Sequence, residues 1–155
     1  MEDAKRLFIT HQFYDLVKHL PAESVGRWGR MNAQQMIEHV ADFFRVSTGE
    51  LKFELVTPAD QLEKYRNFLL SEKMFRENTA APMLPEQPFA VRAASMNDSL
   101  QDLQTQIAKF HQLFTDGVLQ RTLHPVFGEL DYNEWVLLHY KHLYHHARQF
   151  GLLDA

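Results

Sequence analysis

The residues with the clearest chemical potential are four histidines near the end of the chain: His139, His142, His145 and His146. If this stretch is helical, each residue advances about 100° around the axis, so His142 and His146 lie one turn apart on one face. Two imidazoles at this i, i+4 spacing can clamp a metal ion, as in zinc-binding helices. His139 and His145 flank His142 at about 60° on either side. Two ligands do not complete a site, so a third must come from elsewhere.

The sequence around these histidines indicates where their helix begins and ends. Asp131 can cap the first turn, and Glu134, three residues later, can reach back to it, which is the pattern of a capping box. Gly151 is a natural stop. The pattern predicts a helix that begins at Asp131 and ends at Phe150.

A histidine in the second predicted helix is the candidate for the third ligand. This helix starts at Asn32, which forms with Gln35 a pattern similar to a capping box. His39 is central on its apolar face, among Met36, Phe43 and Val46. A single histidine among apolar residues is more often a satisfied core residue than a ligand, so the ligand interpretation depends on the pair in the last helix.

The rest of the chain predicts two more long helices and one long connection. Apolar residues at three- and four-residue steps predict helices over residues 3–20 and 95–116. Residues 57–94 contain four of the six prolines and are interpreted as a crossover, with a short helix at about 59–70. Four amphipathic helices and no strand pattern predict an all-α four-helix bundle that forms a single domain, residues 1–155. In such a bundle the three candidate ligands can converge between facing helices.

Composition and charge exclude several classes of protein. The chain has 155 residues, of which 45% are hydrophobic and 23% charged, as expected for one globular domain. The formal charge of −4 argues against a nucleic-acid-binding protein with a basic face. The lack of cysteine excludes disulfides and thiolate ligands. The first residues lack an apolar signal region, and no run approaches the roughly 20 apolar residues of a membrane span. We therefore expect a cytoplasmic protein without membrane contacts.

The order of these motifs resembles the DinB superfamily of helical-bundle metalloproteins. A central histidine on the second helix, followed far downstream by His-x-x-His-His-x-x-Gln, is typical of it, and residues 142–151 read His-Leu-Tyr-His-His-Ala-Arg-Gln-Phe-Gly. Residues 28–31 (Trp-Gly-Arg-Met) before His39, and residues 124–128 (His-Pro-Val-Phe-Gly) before Trp135, are similar to an uncharacterised branch of the superfamily. The resemblance covers nearly the whole chain in outline.

This resemblance implies a fold, a metal site and a range of reactions. The implied fold is a DinB-like four-helix bundle of up-down-down-up order, often dimeric, with a long crossover between the second and third long helices. His39, His142 and His146 are similar in place to the three metal ligands of the family, whose metal is nickel, zinc, iron or manganese. Several members are transferases or isomerases in which a low-molecular-weight thiol binds the metal, and many others have no established reaction.

The chemistry of three neutral imidazoles defines the predicted function. They leave a divalent metal its full charge and at least one open position, so a bound water or thiol loses its proton more easily. We predict a metal-dependent transferase or hydrolase that acts on a small-molecule substrate. Residues predicted to support the ligands or line a pocket are Gln149, His145 and the loop residue His124, for which a turn-stabilising role is the alternative. Glu38, Asp42 and Glu50 are further candidates for partners of the ligand rings.

Two alternatives stay open from the residues alone. A histidine-rich last turn also interacts favourably with the helix dipole, and no general base stands beside the histidines, so a non-catalytic metal-binding or structural dimeric bundle is the second hypothesis. A ferritin-like di-iron bundle needs inward Glu-x-x-His pairs, which the sequence lacks. Tyr140 and Tyr144 lie opposite His142, which suggests that a partner subunit or the crossover covers this side and predicts a homodimer; two partly exposed tyrosines are the alternative.

Overall fold

The computed structural model describes residues 2–79, 81 and 84–153, and these residues are mostly helical. Helix α1 runs without a break through Glu2–Leu7, a π-helical turn Phe8–Gln12 and Phe13–Val17. The other helices are α2 (Ala33–Ser47), α3 (Leu62–Leu70, preceded by a 3-10 turn Ala59–Gln61), α4 (Met96–Thr115) and α5 (Tyr132–Gln149). Strands β1 (Thr122–His124) and β2 (Gly128–Leu130) pair antiparallel.

The helical character predicted from the sequence is confirmed, with two differences. Helix α1 ends at Val17 and a turn follows it, so it is shorter than predicted. The connection before α5 contains the β1–β2 hairpin, so the expectation of no strands was wrong. Each strand has three residues, which is too short for the alternation that reveals a strand in sequence. Pro82, part of the predicted crossover, lies outside the described residues.

The two helices that carry the candidate ligands begin at capping boxes, as predicted. The Asn32 side chain accepts from the backbone N–H of Gln35 at 2.8 Å, and the Gln35 side chain accepts from Asn32 N at 2.9 Å. Asp131 and Glu134 do the same at the start of α5, at 2.9 and 3.0 Å. Each box satisfies backbone donors that the first helical turn leaves free. The caps therefore fix where α2 and α5 begin and, with that, the position of each histidine around its helix.

Helix α5 contacts three other helices. It packs against α1, α2 and α3, while α2 and α4 pack along each other. The core between them contains the largest fully buried side chains, among them Trp135, Phe13, Phe44, Phe110, Met36 and Leu103. Since α5 is covered on several sides, even its polar residues are buried, including Lys141, His139, His145, His146 and Gln149.

The tyrosines of α5 are covered by α1. The Phe8 ring lies 5.3 Å from the Tyr140 ring and 5.9 Å from the Tyr144 ring, measured between centroids. Both tyrosines are half-buried, which matches the alternative of two partly exposed tyrosines, and the helix that packs on them is one that the sequence analysis did not name. The two tyrosines no longer call for a second subunit, and the homodimer stays a prediction. Among the described residues, no helix combines the length and apolar character needed to cross a bilayer.

Candidate metal centre

The structure brings His39, His142 and His146 together as the sequence analysis expected. His39 comes from α2 and the other two come from α5. The Nε2 atom of His142 lies 3.0 Å from the Nε2 atom of His39 and 3.0 Å from that of His146. One ring nitrogen from each residue lies within 4.8 Å of the other two. Three nitrogen donors from two helices thus point at one place.

Gln149 fixes the orientation and the tautomer of His146. Its amide Nε2 donates to the Trp28 carbonyl at 3.0 Å, which leaves Oε1 facing the imidazole. His146 Nδ1 lies 2.6 Å from that oxygen and must carry the proton that makes the bond. In the neutral ring the proton on Nδ1 leaves a lone pair on Nε2. The Nε2 atom directed at the cluster is therefore a free donor to a metal, as a histidine ligand needs.

The loop before α2 closes on Gln149, and two glycines allow the close approach. Gly29 has φ +79°, and a Cβ atom there would lie 2.7 Å from Nε2 of Gln149. At Gly26 a Cβ would lie 2.8 Å from the Trp28 carbonyl oxygen and 3.0 Å from Cγ of Gln149. A larger residue at either position would displace the amide that holds His146. The sequence analysis named Gly29 only as part of a motif, and its contact with Gln149 was visible only in three dimensions.

The three rings are neutral at physiological pH. The pKa of His39 is lowered to about 4, mainly by burial, with Asp42 opposing the change and the nearby His145 adding to it. Burial also places the pKa of His142 and of His146 well below the ordinary value, with the other rings of the cluster acting in the same direction. A charged imidazolium has no free lone pair for a metal, whereas a neutral imidazole has one and can bind. The electrostatics of the cluster therefore keep all three rings in the ligand form.

One side of the cluster is partly open, and Phe43 borders it. His146 is buried, whereas His39 and His142 are half-buried. The half-buried Phe43 ring stands edge-on to both, 5.1 Å from the His39 ring and 4.8 Å from the His142 ring. A ligand that reached the cluster from this side would contact an aromatic wall. The sequence analysis assigned Phe43 to the apolar face of its helix and missed this position.

The other two predicted histidines lie near the cluster without joining it. His145 is buried, with its ring 5.1 Å from the His146 ring and 5.5 Å from the Trp28 ring. His124 is buried in the hairpin, where its Nδ1 atom accepts from the backbone N–H groups of Val126 and Phe127 at 2.9 and 3.2 Å. The contacts of His124 match the turn-stabilising alternative, and those of His145 place it in the packing between the cluster and the loop.

The acidic residues considered as partners of the rings bond elsewhere. The Glu38 carboxylate accepts from the backbone N–H groups of Arg92 and Ala93 and from the hydroxyl of Ser99. Burial alone would raise the pKa of Glu38, but these hydrogen bonds outweigh it and the pKa is lowered. Asp42 pairs with Arg45 and Arg92, and Glu50 pairs with Arg45. These carboxylates therefore anchor the end of the crossover and the surface of α2.

A cation fits this cluster better than three imidazoles alone do. His146 Nε2 has no proton to donate, and His142 Nε2 can donate to only one of its two neighbours. Without a cation, at most one of the two 3.0 Å contacts of His142 Nε2 can therefore be a hydrogen bond, and the other brings two ring nitrogens together without one. Nitrogens bound to one cation at about 2.0–2.1 Å lie about 2.8–3.4 Å apart, for right-angle to tetrahedral arrangements. The two separations that involve His142 fall in that range, and all three donor atoms lie within 4.8 Å of one another, so the residues present fit a divalent metal.

The fold and this cluster define a class: a helical protein with three histidines from two helices that could hold a metal ion. Comparison with known families identifies the superfamily. The family described as the DinB superfamily matches residues 10–150, which is most of the chain, and the protein belongs to that superfamily. Neither the curated proteins nor the solved structures gave a match.

Proposed function

We propose that this protein is a metal-dependent enzyme of the DinB type, in which His39, His142 and His146 hold one divalent cation. The observation that carries the proposal is the convergence of three neutral imidazole nitrogens, two pairs of them 3.0 Å apart. Three nitrogen ligands do not select strongly among first-row metals, so the cation could be nickel, zinc, iron or manganese. The reaction class is a transferase or a hydrolase that uses a low-molecular-weight thiol or a water.

The proposed fold behind this site is the four-helix bundle of up-down-down-up order formed by α1, α2, α4 and α5. The connection between α2 and α4 supports it, because residues 48–95 are long enough to return along a whole helix. The contacts of α2 with α4 and of α5 with α1 and α2 also support it. In this arrangement α3 belongs to the crossover and lies against α5.

Each residue of the site has a distinct part in the proposed reaction. A metal held by three neutral ligands lowers the pKa of a bound water or thiol and so supplies a nucleophile near neutral pH. His146 is held by Gln149, which limits its ring to one orientation. Because His39 and His142 are half-buried, a ligand can approach the cluster from solvent on one side. Phe43 forms an apolar wall on that side. A substrate with an apolar group near its reacting atom is therefore favoured.

A specific observation favours the second candidate, a non-catalytic metal-binding or structural protein. Among the described residues, no carboxylate or lysine makes a hydrogen bond to a ring of the cluster. A hydrolase usually places a general base within hydrogen-bond reach of the reacting proton.

A thiol needs less help, because the metal itself can stabilise the thiolate. Within the enzyme proposal, thiol-dependent transfer therefore agrees better with the site than hydrolysis.

Cobalt substitution tests whether the site accepts an external thiol. The full chain is loaded with Co²⁺, and its absorption spectrum is recorded before and after addition of 2-mercaptoethanol. We expect one cobalt per chain and a new thiolate-to-cobalt charge-transfer band in the near ultraviolet. The His142→Ala variant should give neither. Cobalt bound without a change on thiol addition would contradict the thiol-dependent reaction that the site favours within the enzyme proposal.

A further inference from the structure

One segment after α2 has the sequence pattern of a strand but pairs with no strand. Residues 51–55 read Leu-Lys-Phe-Glu-Leu and alternate apolar and charged side chains, as a strand with one apolar side does. Residues 52–56 contain no helix, turn or bend, so the backbone runs straight there. The two described strands pair with each other and not with this segment. The segment is therefore extended and has a free edge.

The backbone of this segment is largely unpaired within the described residues. At its two ends, the Leu51 N–H donates to a carbonyl in the last turn of α2 at 3.0 Å, and the Val56 N–H donates to a carbonyl in the hairpin turn at 2.8 Å. Residues 52–55 make no backbone hydrogen bond to any described residue. Alternate residues of a strand direct their N–H and C=O groups to the same edge. Phe53 and Leu55 therefore direct theirs away from the hairpin that holds Val56.

The side chains of the segment are also exposed. Leu51 and Leu55 are 37% and 39% exposed, and they flank the half-buried Phe53 on the same side of the segment. On the other side, Lys52 and Glu54 are exposed and form no ion pair with any described residue. An unpaired strand edge with exposed apolar side chains is a template for pairing with another chain.

The segment is complementary to itself when two copies run antiparallel. In the register centred on Phe53, the two Phe53 residues face each other, and Leu51 faces Leu55 of the second copy. Lys52 then faces Glu54 of the second copy, and the same pair forms again by symmetry. A shift of two residues in either direction would place Lys52 opposite Lys52 or Glu54 opposite Glu54, which is destabilising. A shift of one residue would place apolar side chains opposite charged ones. Charge and polarity therefore select one register.

We propose that two copies of this chain associate through antiparallel pairing of residues 51–55. The two Phe53 residues exchange backbone hydrogen bonds, and each Leu55 N–H donates to the Leu51 carbonyl of the other copy. The charged pairs then fall at the positions between these bonds, where facing side chains are closest. The contact is isologous, as in most homodimers. So short a pairing is a small interface, so we expect a dimer that dissociates on dilution, with a Kd of about 10–100 µM.

Charge reversal tests this pairing by sedimentation velocity on the full chain. The protein is measured from about 1 µM to about 1 mM, which brackets the expected Kd, and the wild type should pass from monomer to dimer. Lys52→Glu places like charges opposite each other twice and should weaken the dimer at least about tenfold. Adding Glu54→Lys to the same chain restores opposite charges and should restore the dimer. Lys64→Glu makes the same change at an exposed position of α3 and should have no effect.

Cysteine variants test the register directly, because the chain has no cysteine of its own. A mixture of the Lys52→Cys and Glu54→Cys variants should form a disulfide between copies under mild oxidation, since directly opposite Cβ atoms lie about 4.5–5.5 Å apart. Lys52→Cys alone should crosslink much more slowly. In the proposed register the two residues at position 52 are diagonal neighbours about 7–8 Å apart, which is too far for a disulfide.

Three results would each overturn the proposal. The first is a wild-type chain that stays monomeric at about 1 mM. The second is a dimer that Lys52→Glu and Lys64→Glu affect equally, or that the added Glu54→Lys does not restore. The third is crosslinking of Lys52→Cys alone as fast as crosslinking of the mixture. All of these measurements use metal-free protein, so they leave the proposed metal-dependent function untouched.

Discussion

The described part of the molecule contains two groups of buried or half-buried histidines, and they differ in where their ring nitrogens point. In the candidate metal centre, the Nε2 atom of His142 lies 3.0 Å from the Nε2 atoms of His39 and His146. In the second group, His139 lies flat against the Phe44 ring, with centroids 3.8 Å apart at an angle of 10°. The Nδ1 atom of His124 accepts two backbone hydrogen bonds in the hairpin turn.

Burial and pKa do not distinguish the two groups. His146 is 4% exposed and His139 is 1% exposed. Burial lowers the pKa of His124 to about 3 and that of His139 well below the ordinary value, just as it does in the metal centre. A lowered pKa shows only that a ring is neutral and buried. The convergence of donor atoms, and not their desolvation, separates a candidate site from a histidine that serves as packing.

The largest contrast is expected when one histidine from each group is removed. His146→Ala should reduce zinc affinity by more than about 100-fold, because a direct ligand matters more than the partner of a ligand. His124→Ala should leave zinc affinity unchanged and cost about 1–3 kcal/mol of stability, since two backbone donors lose their acceptor. Zinc affinity is measured by competition with a chromophoric chelator and stability by urea unfolding. Equal zinc affinities in the two variants would remove the distinction between the groups.

A smaller effect is expected from the residue that orients His146. Gln149→Leu should lower zinc affinity by about 10–100-fold, because the His146 ring loses the acceptor for its Nδ1 proton. Gln106→Leu is the matched control, because Gln106 is a buried glutamine in α4 whose bond goes to Asp102. The same competition assay compares both variants with the wild type. If Gln106→Leu weakens zinc as much as Gln149→Leu does, Gln149 has no special role.

The packing role of His139 gives a pH-dependent prediction. Its folded pKa lies below the unfolded value of about 6.5, so its contribution to stability is fully present above pH 6.5 and is lost as the pH falls below it. His139→Phe keeps the stack on Phe44 and removes this loss. Between pH 6.5 and 5, the metal-free variant should therefore lose about 2 kcal/mol less stability than the wild type. Urea unfolding at both pH values measures the difference, and parallel losses in the two proteins would contradict it.

The sequence predicted the main helices and the three candidate ligands because both depend on local signals. Capping patterns at Asn32 and Asp131 set the helix starts, and i, i+4 spacing placed His142 and His146 on one face. The hairpin escaped detection because its strands have three residues each. That α1 covers the tyrosines was also not predicted, since contacts between distant segments leave no local pattern.

Among the residues around the ligands, local spacing likewise reveals some roles and hides those that depend on contacts between distant segments. Gln149 could be named because it lies one helical turn from His146. Its contact with the Trp28 carbonyl joins residues 121 positions apart and could not be read from spacing. The role of Phe43 was hidden because an aromatic residue on an apolar helix face is usually core. The bonds of Glu38 were missed because they depend on the path of the crossover.

The most direct test of the metal centre is elemental analysis of protein purified without chelators and then exposed to zinc or nickel. Wild type, His142→Ala and the exposed-histidine control His19→Ala are compared after removal of free metal. The account predicts one metal ion per chain in the wild type and in His19→Ala, and close to none in His142→Ala. Metal-free wild-type protein after both exposures, or equal metal content in all three, would contradict it.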